Sequence, residues 1–157
     1  MALFISTYTN RIDKKGRVSV PAPFRAVIAR QDFQGIIAYG SFINPCIEAC
    51  ALSRIEQMSE SIDTLDPFSE ERDAFAATIL AGSVQLSFDG EGRIMLPESL
   101  IASAELNEQA VFVGKGKTFE IWEPSRFETY FNKARQTALS QRGAFRLHTQ
   151  SKMDKEV

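Results

Sequence analysis

The chain has 157 residues, 44% of them hydrophobic and 24% charged, a globular balance that excludes a disordered or fibrous protein. Folding at this length buries about 70% of the unfolded surface, so a core can form without disulfides or metal. The formal net charge of −2 argues by itself against a polyanionic partner, and only a local concentration of cations could reverse that argument.

The N-terminus, MALFISTYTNR, lacks the basic start and long apolar run of a secretory leader. No later run is long enough to cross a membrane, so the expected location is the cytoplasm. FISTYT (4–9) reads as a strand. IDKKGRVSVP (12–21) then reads as a hairpin turn and a return strand, RVSV (17–20). Asp13 can accept from backbone N–H groups two or three residues on, and Gly16 tolerates the positive φ that closes such a turn. Pro21 cannot continue a central strand but suits a helix start, predicting a short helix over about 21–31. A hairpin follows, 36–40 with 46–51. It contains Cys46 and Cys50, which read as two small apolar side chains because the lone His148 leaves no zinc set at a recognisable spacing.

A helix opens near Ser53, three residues before Glu56, the spacing of a capping box. LDPF (65–68) is a linker. SEERDAFAATILAG (69–82) is a helix with Ser69 as cap and Gly82 as stop. SVQLSF (83–88) then begins the pattern again. FDGEGRIMLP (88–97) repeats D-x-x-G-R-φ-x-φ-P, with φ apolar, seventy-six positions after its first occurrence. A helix over about 97–104 and a hairpin, 110–114 with 118–122, follow in the same order. GKGK (114–117) is that hairpin's turn, because a phosphate loop needs the longer Walker spacing. Ser125 and Glu128 repeat the capping spacing. The tail from Gly143 has no clear period.

Three matched blocks in one order make an internal repeat. IIAYG (36–40) matches VFVG, and IEACALSRIEQM (47–58) matches FEIWEPSRFETY (119–130). The layout is one unit over 4–55, a helical segment over 56–82, a second unit over 83–127, and a C-terminal helix and tail over 128–157.

The charge is strongly local. Residues 10–30 carry Arg11, Lys14, Lys15, Arg17, Arg25 and Arg30 against Asp13, a net +5, while 48–73 sums to −6 and 126–157 to +4. Strand alternation turns Val18, Val20, Ile94 and Leu96 inward, and Arg17, Ser19, Arg93 and Met95 outward. The two halves thus offer Arg17 and Arg93 from equivalent places. Each arginine could simply pair with the aspartate four residues earlier. A cation surplus at the first turn needs more than that, and a polyanion explains it: lysines and arginines grip phosphates, and an arginine fork reads guanine in the major groove. The second turn lacks the surplus, since 88–107 sums to −3. The first copy is therefore expected to lead DNA contact and the second mainly to build the fold.

These residues carry a family resemblance. DKKGRVSVP followed by Phe24-Arg25, then DGEGRIMLP, VFVGKGKTFEIW and the paired Ser-Arg helices, resemble the bacterial MraZ family over about 4–140. The resemblance implies a β-rich α+β fold of two tandem AbrB-like (SpoVT–AbrB) swapped-hairpin units, each a double-split β-α-β element, related by a pseudo-twofold axis with flanking helices. It implies a ring-shaped homo-oligomer associated with the nucleoid. It also implies a sequence-specific transcriptional regulator that binds short tandem G-rich boxes in double-stranded DNA and represses its own division and cell-wall operon. Carried over by position, the family's contact residues are Asp13, Lys15, Gly16 and Arg17 in the first copy and Asp89, Gly92 and Arg93 in the second. Asp13, Asp89 and Gly92 match the same motif and are expected to shape the turns. Arg17 is the expected base reader, with Lys14 and Lys15 on phosphates. No cofactor, metal or small-molecule substrate is expected, and no catalytic constellation is present. The alternative is an oligomeric scaffold acting through protein contacts, using the acidic segment 56–73 and the stripe Phe127, Tyr130, Phe131 and Ala134.

Overall fold

The strands that flank each repeated turn pair with strands of the other sequence copy, while the later hairpin of each copy stays local. The computed structural model describes residues 2–148, so the expectations for 149–157 lie outside the described residues. Strand β1 (Thr7–Arg11) and strand β2 (Arg17–Ser19) flank the first D-x-x-G turn but share only the bridge between Ile12 and Val18. Helix α1 (Ala22–Ile28) leads to the hairpin β3 (Gly35–Gly40) and β4 (Ile47–Cys50). Helix α2 (Leu52–Asp63) and helix α3 (Glu70–Phe75) connect to the second copy. There β5 (Val84–Ser87), β6 (Arg93–Met95), α4 (Glu98–Ser103), β7 (Gln109–Gly114) and β8 (Phe119–Trp122) repeat the order.

β1 pairs antiparallel with β7, Thr9 opposite Val111, and β5 pairs antiparallel with β3, Leu86 opposite Ile36. The six-stranded order β1-β7-β8-β4-β3-β5 reads the same backwards when the copies are exchanged. A pseudo-twofold axis therefore passes between β4 and β8, where Glu48 faces Glu120. β2 and β6 form a separate ribbon on the same axis, with Val18 opposite Ile94. The fold is α+β, with an antiparallel sheet and several helices.

Two sequence expectations change here. The D-x-x-G step is a turn, but it does not join a local hairpin, because each flanking strand finds its apolar register partner in the other copy. The first strand also runs over 7–11 rather than 4–9. Ser6 takes φ 75°, which breaks the strand, and Phe4 instead exchanges both backbone hydrogen bonds with Gly116, at 2.8 and 2.9 Å.

Side-chain alternation assigns the sheet's two faces. Ile36, Ala38, Ile47, Ala49, Phe112, Phe119 and Ile121 join Val18, Ile94, Phe24 and Leu100 in the main core. Phe24, on α1, is its hub, with ring centroids 5.3 Å from Phe4, 5.6 Å from Tyr8 and 5.0 Å from Phe119. On the other face Tyr39 packs with Ile62 of α2 and with Ile79. The same face carries Glu120, whose carboxylate accepts from Trp122 Nε1 at 2.9 Å and meets Lys115 Nζ at 3.0 Å. Cys46 and Cys50 are both buried and unbridged, and burial pushes the Cys50 thiol up to about 12.

Ser69 caps α3 as expected, its Oγ accepting from the Arg72 N–H at 3.1 Å. Beyond Phe75 the helix widens into a π-helical turn, Ala76–Ala81, which stops at Gly82. Ser53 is not the cap of its helix. α2 starts at Leu52 with buried Ala51 in the cap position, and the Ser53 N–H is met at 3.4 Å by Gln31 Oε1 from beyond α1. A tertiary acceptor replaces the local box, so the helix can leave the strand without a loop. Ser125 likewise lies within its helix, α5 (Pro124–Ser140).

Residues up to Pro124 form one compact unit and a second begins at Ser125. Within the second unit the Phe127 ring packs at 6.4 Å on Tyr130 and 5.5 Å on Phe131. Among the described residues no helix is long and apolar enough to cross a membrane.

The hub role of Phe24 gives the first prediction. Phe24→Ala removes a ring that is 1% exposed and should destabilise the fold by about 3–5 kcal/mol in urea unfolding. An exposed ring such as Phe68, 95% exposed, should change stability by no more than about 0.5 kcal/mol when truncated.

Candidate nucleic-acid interface

Both repeated turns are built by one carboxylate. Asp13 Oδ1 accepts from the Lys15 and Arg17 backbone N–H groups, each at 2.9 Å, and Oδ2 accepts from Arg17 Nε at 2.6 Å. Asp89 Oδ1 accepts from the Glu91 and Arg93 N–H groups, each at 2.9 Å, and Oδ2 from Arg93 Nε at 2.9 Å. The Asp13 N–H donates to the Arg17 carbonyl and the Asp89 N–H to the Arg93 carbonyl, each at 2.9 Å. Gly16 and Gly92 close the turns at φ 84° and 76°. Each glycine carbonyl then accepts from the other copy, Gly16 from the Leu96 N–H at 2.8 Å and Gly92 from the Val20 N–H at 3.1 Å.

The same donors set the acidity of both aspartates. Asp13 is held below its ordinary value of 3.8, first by the Arg17 backbone N–H, with Arg17 Nε and the Lys15 N–H adding to the effect. Asp89 is held down in the same way, first by the Arg93 N–H.

The ribbon brings the two arginines together. Val18 and Ile94 turn into the core, so Arg17 and Arg93 share its outer face. Ser19 lies opposite Arg93 and Met95 opposite Arg17, which makes the arginines diagonal neighbours, roughly 7–8 Å apart on such a ladder. Met95 is 55% exposed beside them. The Asn10 side-chain amide ties β1 to this edge by donating to the Ser19 carbonyl at 2.7 Å.

The two arginines are not equally committed. Arg17 is held through Nε alone, so its Nη edge has no partner among the described residues. Arg93 also has Glu91 Oε2 3.7 Å from one Nη. Lys14 and Lys15 stand exposed at the first tip, whereas Gly90 and Glu91 occupy those places in the second. Arg17 and Arg93 point to the outer face that alternation assigned them, Lys14 and Lys15 are exposed at the first tip, and Asp13, Asp89 and Gly92 shape the turns, as does Gly16, which was expected among the contact residues.

The local reading of the motif missed the means of convergence, although the family resemblance implied swapped hairpins about a pseudo-twofold axis. It placed each arginine on its own hairpin, while the structure puts both on one inter-copy ribbon. The matching apolar pairs Val18–Ile94 and Val20–Leu96 were the available signal. It also missed Arg25, whose side chain lies over Gly92 of the other copy. Among the described residues no group of three or more His, Cys, Asp or Glu could hold a metal ion.

Known proteins are similar to this chain over most of its length. A regulator named Transcriptional regulator MraZ from Rickettsia canadensis (strain McKiel) is 56% identical over 142 residues, covering 90% of this chain and 95% of its own. The Transcriptional regulator MraZ of Rickettsia akari (strain Hartford) is 54% identical over 146 residues, covering 93% and 98%. The chain belongs to the MraZ family. The family model described as "MraZ protein, putative antitoxin-like" matches residues 79–148, which include the second motif. The role shared with these relatives is transcriptional regulation, which is not an enzymatic one.

Two predictions follow from the turn geometry. Gly92→Ala forces a positive φ on a side chain whose Cβ would lie 2.7 Å from the Arg25 guanidinium carbon, and should cost about 1–2 kcal/mol in urea unfolding. Gly90→Ala, two residues away with no described residue within 4 Å of its Cβ position, should stay within about 0.5 kcal/mol of the parent. The aspartates make the turns acid-sensitive. A carboxyl depressed by folding stabilises the fold fully above its unfolded value and loses that contribution as pH falls through the depressed one. Carboxyl-detected NMR titration should therefore place both Asp13 and Asp89 midpoints below 3.8, with amide protection at Arg17 and Arg93 lost over the same range.

Proposed function

We propose that the chain is a sequence-specific DNA-binding regulator that reads duplex DNA with the ribbon formed by β2 and β6. The observation that carries this reading is the paired arginines on one exposed ribbon face, with the Nη edge of Arg17 uncommitted and Lys14 and Lys15 beside it. A two-stranded ribbon is narrow enough for the major groove. The Arg17 fork matches the O6 and N7 acceptors of guanine, which suits a G-rich box. Lys14 and Lys15 contact flanking phosphates and set register without reading bases. Met95 supplies apolar contact at the same edge, and Arg93 supports the reading from the second turn.

One small ribbon gives modest affinity. Several copies in one ring gain by effective concentration, by about 10²–10⁴ where box spacing allows simultaneous contact. Tandem boxes in phase with the helical repeat are the matching target. On this reading the protein works at the nucleoid in the cytoplasm and represses the operon it heads.

The test is a binding titration of wild type and Arg17→Ala. The DNA would be the region upstream of the protein's own gene and a scrambled fragment of equal length, at two salt concentrations. Loss of the guanine fork should remove about 1–3 kcal/mol of preference for the native fragment. The variant must keep the oligomeric state of wild type. Equal affinity of wild type for both fragments would sink the proposal, and an unchanged preference in Arg17→Ala would move the reading head elsewhere.

A further inference from the structure

We propose that Arg25, carried by the first copy, is the phosphate-contacting cation of the second copy's turn. The inference rests on the reading that the repeated turns contact DNA.

The second turn has no lysine of its own. Asp89, Glu91 and Arg93 sum to −1, whereas Asp13, Lys14, Lys15 and Arg17 sum to +2. Arg25 supplies the missing charge from outside that copy. Its Cζ, Nε and Cδ lie 2.7 to 2.8 Å from where a Cβ on Gly92 would stand, so the guanidinium is laid against the bare backbone of the turn. Nε donates to the Val20 carbonyl at 3.1 Å, and the Val20 N–H donates to the Gly92 carbonyl at 3.1 Å. The side chain is therefore fixed at the point where the two copies join.

Packing does not explain the choice of arginine. Arg25 follows Pro21 by four residues, and its counterpart four residues after Pro97 is Ile101. Ile101 covers Gly16 in the equivalent hollow, its Cδ1 3.4 Å from the corresponding Cβ position. An apolar side chain thus fills this space where the turn has lysines, and a cation fills it where the turn has none.

The guanidinium is also available. Only Nε is bonded, so both Nη groups lack a hydrogen-bond or ion-pair partner among the described residues. Arg25 lines an open cavity of about 520 Å³ with Ala22, Ala26, Gln34, Asp89 and Gly90. Asp89 does not bar an anion there, because its two oxygens already accept from two backbone N–H groups and Arg93. A fixed fork with two free Nη groups fits two oxygens of one phosphodiester. Both turns then grip the duplex, the first through its own lysines and the second through the first copy's arginine.

The test uses the full chain in its native oligomeric state. Wild type, Arg25→Gln, Arg25→Lys and Arg17→Ala would be titrated against the upstream and scrambled fragments over a salt series. Arg25→Gln should weaken binding to both fragments alike, roughly three- to tenfold, and lower the log–log salt slope by about 0.9 per engaged subunit. Arg25→Lys should restore most of the slope, which a merely structural arginine would not do. On unaltered protein, bound DNA should protect Arg25 from phenylglyoxal, read by peptide mass spectrometry, and this measurement decides the matter if Arg25→Gln does not fold. The inference is overturned, with the DNA reading left standing, if Arg17→Ala loses preference while Arg25→Gln binds with the wild-type slope, or if DNA leaves Arg25 unprotected. If wild type binds neither fragment, both readings fall together.

Discussion

Neither copy of the repeated motif completes its own β-ladder, and the rest of the structure depends on that deficit. Among the described residues β1 has no strand partner but β7, and β5 none but β3. β2 and β6 are three residues each and, among the described residues, pair as strands only with one another. A strand this short contributes little alone, so the ribbon exists because Val18, Val20, Ile94 and Leu96 are driven into a shared core. Burial of apolar side chains from both copies is thus what sets the separation of Arg17 and Arg93. A recognition element fixed by core packing is stiffer than one on a free loop, and it loses less entropy when it meets a ligand.

The aspartates complete the same logic at shorter range. An exposed ion pair contributes little to stability, so pairing of Asp13 with Arg17 and of Asp89 with Arg93 explains geometry better than it explains folding. Each carboxylate spends one oxygen on two backbone N–H groups and the other on Nε. The turn and the arginine are oriented by one group, and in Arg17 the Nη edge remains for something else. The reading of each pair as a hairpin clamp and the reading of each arginine as a contact residue are therefore compatible, because they use different nitrogens.

What could be read from sequence followed the range of the interaction responsible. Alternation along RVSV and RIML is local, and it gave the inward and outward residues correctly. The hairpins near 36–51 and 110–122 and the Ser69 cap are local too, and they stand as read. Pairing failed where the partner was remote. FISTYT followed by a turn and RVSV looks like a hairpin because proximity in sequence is all that such a pattern shows. The exchange with 109–114 is decided by which register buries Tyr8 and Phe4 against Phe24. Ser53 failed for a related reason: Gln31, twenty-two residues earlier, meets the N–H that local capping would have served. Arg25 looked like one more cation in a basic block, since nothing near it in the chain shows that it lies against Gly92.

The charge pattern resolves the conflict posed by a net −2 chain. Strand alternation divides the sheet into two faces, and the acidic and basic blocks fall on different ones. Helices α2 and α3 and the turn that follows carry the acids of 56–73, and Ile62 and Ile79 pack against the face bearing Tyr39. The ribbon, with Arg17 and Arg93, belongs to the face bearing Ala38 and Phe112. The Debye length at physiological salt is about 8 Å, so exposed acids farther away than that across the sheet scarcely offset exposed cations on the other side. The relevant charge for an approaching polyanion is then that of the ribbon edge, which is positive at the first turn and brought to neutrality at the second by Arg25. Such a charge distribution attracts a polyanion through one face and repels it through the other, so it favours the orientation that presents the arginines.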